Sequence, residues 1–308
     1  MWSPAEERRA SASSQAQRHP YASEVYAEAL EGLGRPVPIP EWESFVLARP
    51  IRGGLEDGVG PYPRTPIAAE ADLLAGLERL RAAGLVSLVL VPDPLASPDP
   101  ARMAKTFQLC RPFKSHVLID RAAGPYAPTK HHADRIRRGR RRCRVELVAL
   151  ASKMEGWGEL YGGLIERHAI TGPAAFSDPY FPVLAQMSQI TCLAAFVGDS
   201  LAAMTLWFEH AGVAVSHLTA ANALGYAHGA NYALNDAAIE HFAEAQVIDL
   251  GGAAGAADDP ADGLFQFKRG FGNAQIQAFL CGAVLDPARY DDLTTGRGPT
   301  SFFPAYRG

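Results

Sequence analysis

The sequence predicts an α/β protein of the layered α+β kind, and three observations carry that expectation. Segments with helical apolar spacing alternate with strand-like runs through the first 120 residues. Further on, TCLAAFVG (191–198), LAAMTLWFEH (201–210) and VAVSHLTA (213–220) are joined by two-residue turns, the spacing of an antiparallel meander. A helical segment, ANYALNDAAIEHFAEA (230–245), then leads into VIDLGG (247–252), a short apolar strand stopped by two glycines that reach positive φ without a Cβ penalty.

In chain order, SEVYAEALEGLG (23–34) reads as a helix with Ser23 as its cap and Gly34 as its stop. A proline-rich link follows, then a strand in SFVLARP (44–50) and a glycine- and proline-dense loop over 51–66. AAEADLLAGLERLRAAG (68–84) is amphipathic, VSLVLVP (86–92) a buried strand, DPARMAKTFQL (99–109) a helix and HVLID (116–120) a strand. RVELVA (144–149) is a strand, and 153–169 and 179–188 are helices. QIQAFLCGAVLD (275–286) closes the sheet before a polar tail. The two halves show a similar alternation of elements, which suggests a duplicated α/β unit.

Length and composition bound the rest. A chain of 308 residues, 48% hydrophobic and 20% charged, has room for two ordinary domains and the balance of a globular protein. The four cysteines, Cys110, Cys143, Cys192 and Cys281, show no CxxC or Cys/His ligand spacing, so reduced thiols and no metal site are expected. The first twenty residues carry two glutamates and no apolar core of a signal peptide. No apolar run is long enough to span a bilayer. The expectation is a cytoplasmic protein with a mobile tail over residues 1–19.

Charge is unevenly placed. The net charge is −4, yet TKHHADRIRRGRRRCR (129–144) carries eight basic residues against one acid. A solvated helix face is one reading of this block. A polyanion-binding face is the other: RNA, a nucleotide or another phosphorylated ligand. Arginine predominates, which suits bidentate contact with phosphate oxygens. The phosphate-contacting candidates are Lys130, Arg135, Arg137, Arg138, Arg140, Arg141 and Arg142.

DGLFQFKRGFG (262–272) sets Lys268 and Arg269 among aromatic residues. A lysine so placed is either a snorkelling surface residue or a positioned cation. His217, in a strand, is either a proton-transfer group or a histidine bonded to backbone. No G-x-S-x-G, H-E-x-x-H or Walker loop is present.

These pieces, in this order, resemble the Fem-type branch of the GNAT superfamily of N-acyltransferases. The arginine-rich helix before a strand, the series SHLTAAN…GANYALNDAAIEHF…VIDLGG and the FK pair in DGLFQFKRGFG carry the resemblance, with DGVGPYPRTP (57–66) a weaker fourth element. The resemblance covers most of 45–293. It implies two tandem GNAT-like domains, each a mixed, largely antiparallel sheet flanked by helices. The expected division is 20–145 on the acceptor side, 146–286 on the donor side, and a tail, 287–308, docking back on the first.

It also implies amide formation: an aminoacyl group passes from aminoacyl-tRNA to an amine of a small molecule or peptide, in natural-product biosynthesis, without a cofactor. Lys268 and His217 are then the catalytic candidates. Phe267, Arg269, Asn231, Tyr226 and His228 would bind the donor, and Tyr62, Arg64 and Trp207 the acceptor. Two departures stand out. Prolines replace glycines in GPYPRTP, and YAHGAN (226–231) replaces the Q/R-x-x-G-x-G/A loop that grips the pyrophosphate of acyl-CoA. The alternatives are an acyl-CoA- or carrier-protein-dependent N-acyltransferase and a non-catalytic RNA- or nucleotide-binding protein of the same fold.

Overall fold

A computed structural model describes residues 18–172, 175–176, 179–255 and 258–308. The expected tail over 1–19 lies outside the described residues except for its last two. In chain order the elements are α1 (Glu24–Ala29), β1 (Arg35–Ile39), β2 (Ser44–Ile51), β3 (Leu55–Val59), α2 (Leu73–Ala82), β4 (Leu85–Leu90), α3 (Pro100–Thr106) and β5 (Leu109–Asp120). Then come α4 (Lys130–Arg142), β6 (Arg144–Leu147), α5 (Met154–His168), α6 (Tyr180–Leu184), β7 (Ile190–Val197), β8 (Ser200–His210) and β9 (Val213–Ala221). The chain ends with α7 (Ala223–His228), α8 (Ala230–His241), β10 (Val247–Gly251), α9 (Gly263–Arg269), β11 (Ala274–Val284) and α10 (Pro287–Thr294). Mixed α/β layering is therefore the fold class.

The chain divides into two compact units, named here by their place in the sequence. The inner unit is Lys114–Ile276 with residues 18–20, and the outer unit is Tyr21–Phe113 with Gln277–Gly308. This departs from the expected division at residue 145. The chain passes between units inside β5 and inside β11, so the arginine-rich helix belongs with the second half of the sequence and the last strand with the first.

In the outer unit β1, β2 and β3 run antiparallel, β3 pairs parallel with β4, and β11 pairs antiparallel with β4, Cys281 opposite Leu90. Two of these strands fall in stretches whose composition suggests loop. β1 (RPVPI) holds two prolines, which the single ladder of an edge strand tolerates because one side of its backbone needs no partner. β3 (LEDGV) is polar because Asp57 faces an internal ion cluster. Its carboxylate is fully buried, accepting from Arg307 Nε at 2.5 Å and Nη2 at 2.9 Å and from the Tyr306 hydroxyl at 3.2 Å. The C-terminal segment is thus an integral part of this unit. A core of Val46, Leu77, Leu80, Leu88 and Trp42 lies under α2, where Gly76 gives the Trp42 ring its room: a Cβ there would fall 2.0 Å from Nε1.

In the inner unit β6, β7, β8 and β9 are successively antiparallel, confirming the meander, and β10 pairs parallel with β9. β5 closes the far side, antiparallel to β10. The helices α4 and α8 pack on this sheet over a core that includes Ile119, Ile136, Leu234, Ile239, Phe242, Ile248, Phe265 and Phe271. The strand β10 is apolar because it is central, flanked on both sides by partners.

Candidate functional site

The site grows out of the inner unit where α4 begins. Thr129 caps that helix, its hydroxyl accepting from the His132 backbone N–H. His132 is turned inward and buried. Its Nε2–H donates to the Phe267 carbonyl at 2.9 Å, and its Nδ1 accepts from the Thr129 hydroxyl at 3.1 Å, which fixes a neutral tautomer. Burial holds this imidazole below its usual pKa. The ring packs edge-on against Tyr232 and Phe271 and tilted against Phe267, with centroids 5.0–5.9 Å apart. Gly270 makes the fit possible, since a Cβ there would collide with the imidazole at 1.9 Å.

The half-buried rims of Tyr232 and Phe267 form one wall of a groove of about 470 Å³, with Thr129, His131, His132, Gln266 and Arg269 around it. Its chemistry is two aromatic surfaces with polar and cationic groups at the edge: the Arg269 guanidinium, the exposed His131 imidazole, and the Lys130 ammonium between two lining residues. Such a combination suits a planar heteroaromatic ring bearing phosphate.

From this groove α4 runs on with its charged side exposed. Arg137 pairs with Asp134, and Arg140 with Asp236 and Glu240. Lys130, Arg135, Arg138, Arg141 and Arg142 are exposed and make no ion pair among the described residues. Helical spacing puts Arg135, Arg138 and Arg142 on one stripe. The buried side of α4 is Ile136 and Gly139. Gly139 lies on the first turn of α8: a Cβ there would meet the Gly229 carbonyl at 2.7 Å and the Ala233 nitrogen at 3.3 Å.

That contact bears on the stretch 226–231. Tyr226 and His228 belong to the helix α7 rather than to an open loop. Tyr226 is exposed beneath the Arg167 guanidinium, 4.7 Å from its ring centroid, and His228 Nδ1 bonds the Leu224 carbonyl at 2.9 Å. Gly229 caps α8 with φ 75°, and no side chain caps that end. Asn231 follows, with its Oδ1 buried. The backbone of α4 lies beside this turn: a Cβ built at Gly229 would stand 3.8 Å from the Gly139 Cα.

Of the other candidates, Lys268 does not line the groove. Its ammonium donates to the Gly252 carbonyl at 2.8 Å, on the glycine pair that ends β10. Lys114 holds the same loop through the Ala253 carbonyl at 2.7 Å, and Asp262 caps α9 through the Phe265 N–H at 2.9 Å. His217 is buried on β9, its Nε2 2.7 Å from the Tyr180 hydroxyl among Phe176 and Phe208. Trp207 is a core residue: it has no exposed surface and packs on Phe242, which removes it from any acceptor contact. In the outer unit, Arg64 is 3% exposed and paired with Asp93 at 3.5 Å. Tyr62 is half-buried there, and burial raises its phenol pKa.

The groove therefore unites Phe267 and Arg269 with the start of the arginine helix, and leaves His217 and Trp207 outside it. The sequence pattern does not single out Thr129, His131, His132, Tyr232 or Gln266. A signal for three of them is present in TKHH, a capping threonine with two histidines in the first helical turn. A carboxylate–imidazole pair is likewise absent from the sequence-predicted set: His116 Nδ1 lies 3.0 Å from fully buried Asp249, whose other oxygen accepts from the Gly251 N–H at 2.7 Å.

No protein-family model matches this sequence, and no curated protein does. Solved structures do match in fold. The C-terminal domain of a putative lysylphosphatidylglycerol synthetase from Agrobacterium fabrum is 16% identical over 96% of this chain and 99% of its own, with a TM-score of 0.61. FemX is 12% identical over 94% of this chain and 98% of its own, with a TM-score of 0.60. L-PGS from Bacillus licheniformis is 12% identical over 86% of this chain and 94% of its own, with a TM-score of 0.59. Among the described residues no helix is long and apolar enough to cross a membrane. At these identities the likeness is one of fold.

Proposed function

We propose that this chain is an amide-forming acyltransferase that moves an aminoacyl group from aminoacyl-tRNA to the amine of a small molecule or peptide. The observation that carries the reading is the continuity of an aromatic groove edged by Arg269, His131 and Lys130 with the exposed cations of α4. A 3′-terminal base fits the Tyr232 and Phe267 surfaces, and phosphates of the acceptor stem fit Arg135, Arg138 and Arg142. Natural-product assembly is the setting that the sequence resemblance favours.

The reaction asks little of acid–base groups. An α-amino group with a pKa of about 8 is partly neutral near pH 7 and can attack the ester unaided. The protein's part is to hold the two substrates together and to place donors at the developing oxyanion. Lys268 is the cation for that role once its bond to Gly252 is exchanged for the donor. The close approach of Gly139 on α4 to Gly229 favours RNA over acyl-CoA as the donor, because it narrows the turn where a pyrophosphate would sit.

The test is incubation with total tRNA charged with one labelled amino acid at a time, following label into candidate amines with and without ribonuclease. Ribonuclease-sensitive transfer is expected. Turnover with acyl-CoA in the absence of RNA would overturn the reading. Replacing Arg135, Arg138 and Arg142 by Glu is expected to lower the salt dependence of RNA binding by a log–log slope of about 2–3. A second reading rests on where the two catalytic candidates lie, His217 against Tyr180 and Lys268 on Gly252, neither lining the groove. It is a non-catalytic RNA- or nucleotide-binding protein, distinguished by tight RNA binding with no label transferred to any amine.

A further inference from the structure

The outer unit carries two thiols that acyl transfer does not use. Cys110, near the start of β5, and Cys281, in β11, have their Sγ atoms 3.2 Å apart. Cys281 is fully buried in the core of that unit, whereas Cys110 is partly open to solvent. The other two cysteines sit differently. Cys143 points its thiol toward the His228 carbonyl at 3.9 Å, and Cys192 is buried in β7.

We propose that Cys110 and Cys281 are an oxidation site at which peroxide forms a disulfide, stapling β5 to β11. A disulfide needs its sulfurs about 2.05 Å apart, a closing of about an ångström within reach of small side-chain rotations. The Cys110 sulfur, as its thiolate, attacks one oxygen of hydrogen peroxide. The O–O bond breaks, hydroxide leaves, and a sulfenic acid remains on Cys110. The Cys281 sulfur then attacks the sulfenic sulfur, the S–O bond breaks, and the Cys281 proton leaves with the oxygen as water. Two thiols are oxidised by two electrons, and one peroxide is reduced to two waters.

The order of events follows from exposure. The partly open Cys110 meets peroxide first, and Cys281, whose thiol is pushed up by burial, is the resolving partner. The two positions are 171 residues apart in sequence, so the bond would close a very long loop of the unfolded chain. Both cysteines lie within the outer unit.

The experiment treats the full chain with hydrogen peroxide or with dithiothreitol and measures intact mass, linked peptides and melting temperature. The expected result is a loss of two hydrogens, a peptide joining Cys110 to Cys281, and a melting temperature raised by several degrees and restored by reductant. Cys110→Ser abolishes both the link and the shift, whereas Cys143→Ser and Cys192→Ser leave them intact. Peroxide-treated wild type in which Cys110 advances to sulfinic acid without a link overturns the proposal. So does a link that leaves the melting temperature unchanged.

Discussion

The two units share a chain trace and differ in what lies on it. In the outer unit, hairpin β2–β3 is followed by helix α2 and by β4 parallel to β3. In the inner unit, hairpin β8–β9 is followed by α7 and α8 and by β10 parallel to β9. Each unit then receives its next strand from the other half of the chain: β11 pairs with β4, and β5 with β10. The helices that lead into the parallel strands begin differently. Asp72 caps α2 by accepting from the Ala75 N–H at 3.0 Å, whereas α8 begins on Gly229 without a side-chain cap and is covered by α4. One trace thus serves as a self-contained scaffold in one unit and as the base of a charged groove in the other. The site belongs to the elements laid over the scaffold, not to the scaffold.

The buried charges of the outer unit give the largest expected effect. Asp57 has no exposed surface and depends on Arg307, with the Tyr306 hydroxyl and Arg49 at 3.3 Å as further partners. Arg307→Ala removes two charge-assisted hydrogen bonds from a carboxylate that cannot reach water. Arg49 remains as counter-charge, so the expected loss is about 2–3 kcal/mol, at or just below the low end of the range for orphaning a buried ion. It should appear as loosened amide protection in β3 and β4 with the groove of the inner unit unchanged. Equal loosening in both units would break the comparison.

Close-approach glycines come next. Gly76→Ala drives a methyl group into the Trp42 ring, and Gly139→Ala drives one into the Gly229 carbonyl. Each is expected to destabilise by about 1–3 kcal/mol. Only Gly139→Ala should also weaken the RNA binding proposed for this chain, because a methyl group there pushes the arginine helix off the Gly229 carbonyl. Gly158, on the helix α5, is the control, since a methyl group added there would meet no atom within 4 Å. Its change to Ala should stabilise by about 0.5–1 kcal/mol.

How far the sequence discloses this arrangement differs between the units for the same reason. The meander, β10 and the arginine helix are legible because their apolar periods and turns are local. β1 and β3 are not, because RPVPI and LEDGV become strands only through pairing with β2 and burial of Asp57 against a residue 250 positions away. The exchange of β5 and β11 is likewise invisible to local pattern, which is why composition and element order point to a division near residue 145 instead. Phe267 and Arg269 are legible as candidates, and both line the groove. The groove is not, since it depends on His132 turning inward to the Phe267 carbonyl, a contact across 135 positions.

That inward histidine predicts a groove sensitive to acid. Burial lowers the folded-state pKa of His132 below its ordinary 6.5, so the unfolded chain binds its proton more readily. Its contribution to stability is therefore complete above about pH 6.5 and is lost as pH falls through the lowered folded value. Amide protection in α4 and α9 is expected to weaken between neutral pH and pH 5, and His132→Phe should flatten that dependence. The outer unit has no equivalent ring in such a position among the described residues, so protection in β2 and β4 should change less over the same range.

The smallest effect sharpens the contrast in charge networks. Arg140 on α4 reaches Asp236 and Glu240 on α8, but its side chain is 45% exposed, as against 28% for Arg307 over a fully buried acid. Solvent screens the first network and hardly enters the second, so geometry that looks equivalent carries unequal energy. Arg140→Ala is expected to cost at most about 1 kcal/mol, and that cost should shrink in salt. Comparing Arg140→Ala with Arg307→Ala by chemical denaturation at low and high ionic strength separates the two. A loss for Arg140→Ala that matched Arg307→Ala and ignored salt would mean that the α4–α8 clasp, and not cation display, is what the arginine helix contributes to the inner unit.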